Sequence, residues 1–143
     1  MGLALQVLVA DNDGEFAGEV EKAVAGEGWS TQRAADAEAV LRAVSRQTFD
    51  VVLLDLALPG RPGMDLLGEL GGASLGPEVV ATAGTATIEA AVEAMRKGAF
   101  DFLRKPIASE VLVRTVHRAA ERRRMARENA VLKRTATLHP FTG

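Results

Sequence analysis

Residues 51–55, Val51-Val52-Leu53-Leu54-Asp55, are four apolar residues closed by a carboxylate. An unbroken apolar run marks a strand covered on both faces, the kind found inside parallel sheets. The turn-forming loop Pro59-Gly60-Arg61-Pro62-Gly63 follows. Three other runs share this form. Val7-Leu8-Val9-Ala10 ends in Asp11-Asn12-Asp13, Val79-Val80-Ala81 ends in Thr82, and Ala99-Phe100-Asp101-Phe102-Leu103 leads into Arg104-Lys105-Pro106. Ligands of open α/β sheets bind beyond the carboxyl ends of the strands. Carboxylates, a hydroxyl and an ammonium group would thus collect at one sheet edge, an inventory suited to a divalent metal and a phosphoryl group.

Helical patterns separate these runs. Gly14–Glu27 carries Phe16, Val20, Ala23 and Val24 at helical spacing, and Gly28 stops it. A weaker strand is read at Ser30–Ala34. Asp36 then serves as N-cap of a helix with the apolar face Ala39, Val40, Ala43 and Val44. A short helix spans Met64–Leu70. Thr87 caps another with Ile88, Ala91, Val92 and Met95 on its apolar face, ended by Gly98, and Ser109 and Glu110 open the last. Strands are expected at 5–10, 30–34, 50–54, 79–82 and 100–104. Such alternation implies a doubly wound parallel sheet with right-handed crossovers and helices on both faces.

A length of 143 residues allows one domain and a tail, and the composition, 48% apolar and 25% charged, is that of an ordinary globular chain. Without cysteine there is no disulfide, thiolate catalysis or cysteine-bound zinc, and a reducing cytoplasm is the expected location. No apolar run approaches the roughly 18 residues of a membrane span, and the N-terminus has no basic signal region. Charge is uneven. Residues 1–107 hold nine Lys/Arg against sixteen Asp/Glu, a net −7, and residues 108–143 hold eight against three, a net +5. The surplus is Arg114, Arg118, Arg122, Arg123, Arg124, Arg127, Lys133 and Arg134, read as a solvated helix face. With no aromatic residue between 103 and 140 to stack on bases, direct nucleic-acid binding is not expected.

Each strand-end residue alone has an ordinary explanation. An Asp after a strand is commonly a turn or cap residue, and a Thr is an ordinary strand residue. Together they make a chemistry. A carboxylate can attack phosphorus and become an aspartyl phosphate, a transfer that needs chiefly alignment and charge neutralisation. Asp11, Asn12 and Asp55 offer hard oxygens for Mg²⁺, Lys105 a point charge for phosphate oxygens, and Thr82 a hydrogen bond.

On these motifs, with Asp55-Leu56-Ala57-Leu58-Pro59-Gly60 and Gly98-Ala99-Phe100-Asp101-Phe102-Leu103-Arg104-Lys105-Pro106, the chain resembles the receiver domain of bacterial two-component response regulators over about residues 3–125. The resemblance implies a flavodoxin-like α/β fold: a doubly wound (βα)5 three-layer sandwich with a parallel five-stranded sheet of order 2-1-3-4-5 and an extended C-terminal helix. It implies that Asp55 accepts phosphate from a histidine kinase, with no further enzymatic activity beyond self-catalysed transfer and loss. It implies that Asp11, Asn12, Asp55 and the Ala57 backbone carbonyl hold Mg²⁺, that Lys105 contacts the phosphoryl group, and that Thr82 bonds it after transfer. Phe102 matches the switch aromatic, and the Lys105–Pro106 bond one that is usually cis. The face of helix 4, strand 5 and helix 5 would change shape and carry the signal. Ile88–Lys105 and the charged extension Arg122–Arg134, with Arg127-Glu128-Asn129, look most like the nitrogen-regulator class, in which a helical linker joins the receiver to an ATPase domain that works with an alternative sigma factor.

One position departs from the pattern. The family usually has two adjacent acids after strand 1; the second is Asn12 here. An amide brings no charge, so Mg²⁺ binding should weaken, with Asp13 compensating at most in part. Two other readings follow. In one, Asn12 marks a pseudo-receiver acting as a phosphate-independent interaction module. In the other, Asp11-Asn12-Asp13 is the Asp-x-Asp of a haloacid-dehalogenase-type phosphatase, a reading that leaves Asp55 unexplained. The expected organisation is a receiver at 1–121 and a helical linker with a disordered tail, Thr135–Gly143, at 122–143, leading to an output domain. With Met125 at a d position, Asn129 falls at a, Leu132 at d and Ala136 at a, a pattern for a parallel homodimer through the last helix.

Overall fold

The structure, a computed structural model, describes residues 4–71 and 76–137, and for 129–137 the backbone alone. The elements are β1 (Gln6–Ala10), α1 (Gly14–Ala25), β2 (Ser30–Ala34), α2 (Ala37–Arg46), β3 (Val51–Asp55), α3 (Gly63–Gly71), β4 (Glu78–Ala83), α4 (Ile88–Arg96), β5 (Asp101–Arg104) and α5 (Ser109–Thr137). The sheet is parallel throughout, in the order β2-β1-β3-β4-β5. This is the expected doubly wound topology, with each expected strand present to within a residue at its ends.

The two-residue period of the strands sorts their side chains between two cores. Leu8, Ala10, Val52, Leu54, Val79 and Ala81 point to one face, under α2, α3 and α4. Val7, Val9, Val51, Leu53 and Val80 point to the other, under α1 and α5 with Trp29. Every residue of β3 is buried, as its unbroken apolar run requires. Each fully buried Val or Leu contributes about 1.5–3 kcal/mol of transfer free energy.

The helix starts have local causes. The Asp36 carboxylate accepts from Ala39 N at 2.8 Å, and the Thr87 hydroxyl from Ala90 N at 3.0 Å. These are the two caps expected. At the start of α3, a Cβ on Gly63 would overlap the Leu56 carbonyl, so only glycine lets the helix close on the end of β3. Gly98, at φ 103°, ends α4 in the left-handed region.

Two expectations are corrected. The stripe Ile88, Ala91, Val92 and Met95 does not face the core. Ile88 is 81% exposed, Val92 47% and Met95 49%, and Ala94 is the buried residue of α4. Periodicity finds a stripe without saying which side the sheet takes. Here α4 packs closely enough on α3 that a Cβ on Gly71 would come 3.1 Å from the Lys97 carbonyl. In α5, helix continues through Thr137, so residues 135–137 of the expected disordered tail are helical, while 138–143 lie outside the described residues. The side chains of Asn129, Leu132 and Ala136 also lie outside them.

Candidate functional site

The carboxyl ends of β1, β3, β4 and β5 bring the expected residues together. Asp55 closes β3, and its Cα partner across the ladder is Thr82 of β4. Asp11 follows β1 and is tied by its own N–H to the Ala34 carbonyl at 3.0 Å. Lys105 follows β5, tied by its N–H to the Ala83 carbonyl at 2.9 Å, and the Lys105–Pro106 bond is cis.

Asp11, Asp55 and Thr82 are buried, at 4%, 7% and 1% exposure. Two carboxylates so placed repel each other and lose hydration, so they need a cation. Lys105 supplies it. Its Nζ donates to Asp11 Oδ2 at 2.6 Å and to Asp55 Oδ2 at 3.4 Å. Burial alone would pull the ammonium's titration down, but the hydrogen bond to Asp11 and the charges of Asp11 and Asp55 together raise it above the ordinary lysine value. The remaining carboxylate oxygens take backbone donors: Asp11 Oδ1 accepts from Asp13 N at 2.9 Å, and Asp55 Oδ1 from Ala57 N at 3.0 Å.

Thr82 Oγ1 is buried with no hydrogen-bond partner. A buried hydroxyl left unpaired costs stability and calls for an explanation. It lies across the β3–β4 ladder from the Asp55 carboxylate and has a hydrogen bond still to give. Asn12 and Ala57 are exposed at the rim, and Phe102 is half-buried against the core under α2, α3 and α4.

The donor set suits a hard divalent cation. Asp11 and Asp55 already converge on one positive charge, and the amide of Asn12 is a further oxygen next in the chain. Among the described residues no group of three or more His, Cys, Asp or Glu is placed to hold a metal. Any such ion would thus rest on two acids, neutral oxygens and water. Asp13 does not make a third. It is exposed, and its Oδ1 caps α1 by accepting from Glu15 N at 3.0 Å and Phe16 N at 3.3 Å. Asp13, the second acid that the dehalogenase-type reading needs, is thus a helix cap here.

The family model for the response regulator receiver domain matches residues 7–117. The chain belongs to that family. The nitrogen assimilation regulatory protein NtrX of Azorhizobium caulinodans is 32% identical over 143 residues, 99% of this chain and 32% of the relative. The DNA-binding transcriptional regulator NtrC of Escherichia coli is 34% identical over 113 residues, 79% of this chain and 24% of the relative. Among solved structures, NtrX from Brucella abortus in complex with ADP superposes with a TM-score of 0.84 at 33% identity, covering 91% of this chain and 30% of that one. The receiver therefore spans about a third or less of the length of these relatives, and it is of the nitrogen-regulator type.

Two contacts of the receiver were not legible in its sequence. Phe16, read as a core residue, also presents its ring to Lys105, with Nζ 4.3 Å from the centroid. Arg123, read as part of a solvated basic face, is 6% exposed. It donates from Nε to the Gly76 carbonyl and from Nη1 to Asp50 Oδ1, each at 3.2 Å. No local signal marks either, because each depends on a partner far away in the chain.

Proposed function

We propose that this receiver takes a phosphoryl group from a histidine kinase onto Asp55 and uses it to control a transcription output domain. The observation that carries the reading is the pairing across the β3–β4 ladder of a buried carboxylate, which shares the Lys105 ammonium with Asp11, and a buried, unpartnered hydroxyl. In the transfer, a carboxylate oxygen of Asp55 forms the new bond to phosphorus, and the bond from phosphorus to the donor's imidazole nitrogen breaks. Lys105 then answers the added negative charge, and the Thr82 hydroxyl gains its missing acceptor. Asp11, Asn12, Asp55 and the Ala57 carbonyl would hold Mg²⁺, whose chemistry is to neutralise phosphoryl oxygens. Asn12 leaves that site one charge short, so affinity falls.

Movement of Thr82 toward the phosphate frees space for Phe102, whose neighbour across the β4–β5 ladder is Ala81. The face of α4, β5 and α5 then changes shape, a two-state element biased by a local charge. The exposed Ile88, Val92 and Met95 on that face fit a protein partner. The receiver of about residues 1–121 passes into an extension from residue 122, whose described part continues α5, as a linker toward an ATPase output domain that works with an alternative sigma factor, in the cytoplasm. No described helix is long and apolar enough to cross a membrane.

Incubation with acetyl phosphate and Mg²⁺, read by intact mass and site mapping, tests the reading. One phosphoryl group is expected on Asp55, absent from Asp55→Asn, and Asn12→Asp should lower the Mg²⁺ concentration required. A wild-type chain that stays unmodified with both acetyl phosphate and kinases would instead support the pseudo-receiver reading that Asn12 favours.

A further inference from the structure

Among the described residues the Lys105 ammonium meets Asp11 at 2.6 Å, Asp55 at 3.4 Å, and the ring of Phe16 with its centroid at 4.3 Å. The first two are the groups that a metal ion and a phosphoryl group would claim. The third carries no net charge, and neither newcomer displaces it. We propose that Phe16 is a positioning residue for Lys105, holding its ammonium over the site by a cation–π contact while the carboxylates change partners. The proposal rests on the phosphoacceptor reading for its purpose, though not for its geometry.

The ring is itself well fixed. Phe16 lies in the first turn of α1, where Asp13 Oδ1 accepts its backbone N–H at 3.3 Å. It packs against the core under α1 and α5. Lysine is a compact charge on a flexible four-carbon stem, and little in the stem itself keeps the charge in place. The electron-rich ring face attracts a cation, most strongly where water is partly excluded. The Lys105 side chain is only 18% exposed. With Asn12 in place of an acid, the site holds Lys105 through two carboxylates, and loss of either to a metal removes half of its anionic hold. A ring that retains the ammonium then matters more than it would in a site with three acids. Asp13 joins Asp11 and Phe16: its N–H donates to Asp11 Oδ1 at 2.9 Å, and its carboxylate accepts the N–H of Phe16 at 3.3 Å.

Two substitutions separate ring from bulk. Phe16→Leu keeps apolar volume and loses the π face, and Phe16→Tyr keeps the face. In the metal-free full chain, with chelator present, acylation of Lys105 by a lysine reagent is followed by peptide mass spectrometry, with the exposed Lys22 and Lys97 as internal references. Phe16→Leu should raise the relative rate at Lys105 about fivefold, the size of one partly exposed cation–π contact. Phe16→Tyr should leave it near wild type. An unchanged rate in Phe16→Leu, or an equal rise in Phe16→Tyr, overturns the proposal. Phe16→Met replaces Phe16→Leu if circular dichroism shows that the latter does not fold.

The second readout is the rate of Asp55 phosphorylation by acetyl phosphate with Mg²⁺. Phe16→Leu should slow it about fivefold, and in a Lys105→Met background the same change should have no further effect. An equal slowing in that background would show that the ring acts independently of Lys105, against the proposal. A wild-type chain that takes no phosphate defeats the phosphoacceptor reading and leaves acylation as the deciding measurement for Phe16.

Discussion

At the scale of single residues, the positions two after Asp55 and Thr82 carry small side chains. Ala57 and Gly84, two positions after Asp55 and Thr82, are both exposed, and a Cβ built on Gly84 would meet no atom within 4 Å. Neither side chain can orient or exclude an attacking water. Gly84→Leu should therefore fold normally and lengthen the lifetime of phosphorylated protein, read as slower decay of intact phosphoprotein mass; an unchanged decay would remove the steric argument. Glu78 gives a second residue-scale prediction. Burial pushes its carboxyl above the ordinary value, and the charges of Arg122 and Arg123 pull it back only partly. A carboxyl with a raised folded-state value destabilises the fold when ionised. That cost is fully present above the raised value and disappears as pH falls below the ordinary one. Glu78→Gln should stabilise the protein at neutral pH, with the difference closing toward about pH 4. Urea unfolding at both pH values checks this. A less stable variant at neutral pH would mean that the pair with Arg122, at 3.4 Å, outweighs burial.

At the scale of elements, α4 and α5 are held in opposite ways. Ala94 is the buried residue of α4, which leaves that helix lightly attached. The long α5 buries Leu112, Val116, Ala119 and Ala120, and the last anchor among its described side chains is Arg123. Asp50 completes that anchor by accepting Gln6 N on Oδ2 at 2.8 Å while Oδ1 takes Arg123. One guanidinium thus ties the helix to the amino ends of β1 and β3 and to the segment before β4. Arg123→Ala leaves Asp50 and the Gly76 carbonyl without this donor and should cost about 3 kcal/mol in urea unfolding. Arg123→Lys should recover less than half, because one ammonium cannot reproduce the fork that meets both acceptors. Full recovery by lysine would reduce the anchor to simple charge.

At the scale of the whole molecule, α5 extends past its last described anchor, and Met125 is 58% exposed there. A homodimer through this extension is expected, with its dissociation constant changed by phosphorylation of Asp55. Sedimentation of the phosphorylated and unphosphorylated chain, and of a chain cut after Arg124 so that Arg123 keeps its anchor, provides the test. Equal dimerisation by the cut chain would make the extension a linker only, and a monomer in both states at high concentration would remove the dimer.

The sequence by itself determined the sheet, the helix caps at Asp36 and Thr87, and the set Asp11, Asp55, Thr82 and Lys105. These follow from local rules: period two in strands, hydrogen bonds to free N–H groups at helix starts, and strand ends that point to one edge of a parallel sheet. Only the tertiary structure decided which side of α4 meets the core, because a stripe at helical spacing is the same stripe whether it faces sheet or solvent. Only the tertiary structure turned Arg123 inward, since the desolvation of its charge is offset by Asp50, 73 residues away. The same holds for Phe16, whose spacing marks an apolar face, while its contact with Lys105 forms only when the start of α1 and the end of β5 meet. Side chains that answer local backbone could be read in order along the chain. Those that answer a distant charge required the fold that brings the charge to them.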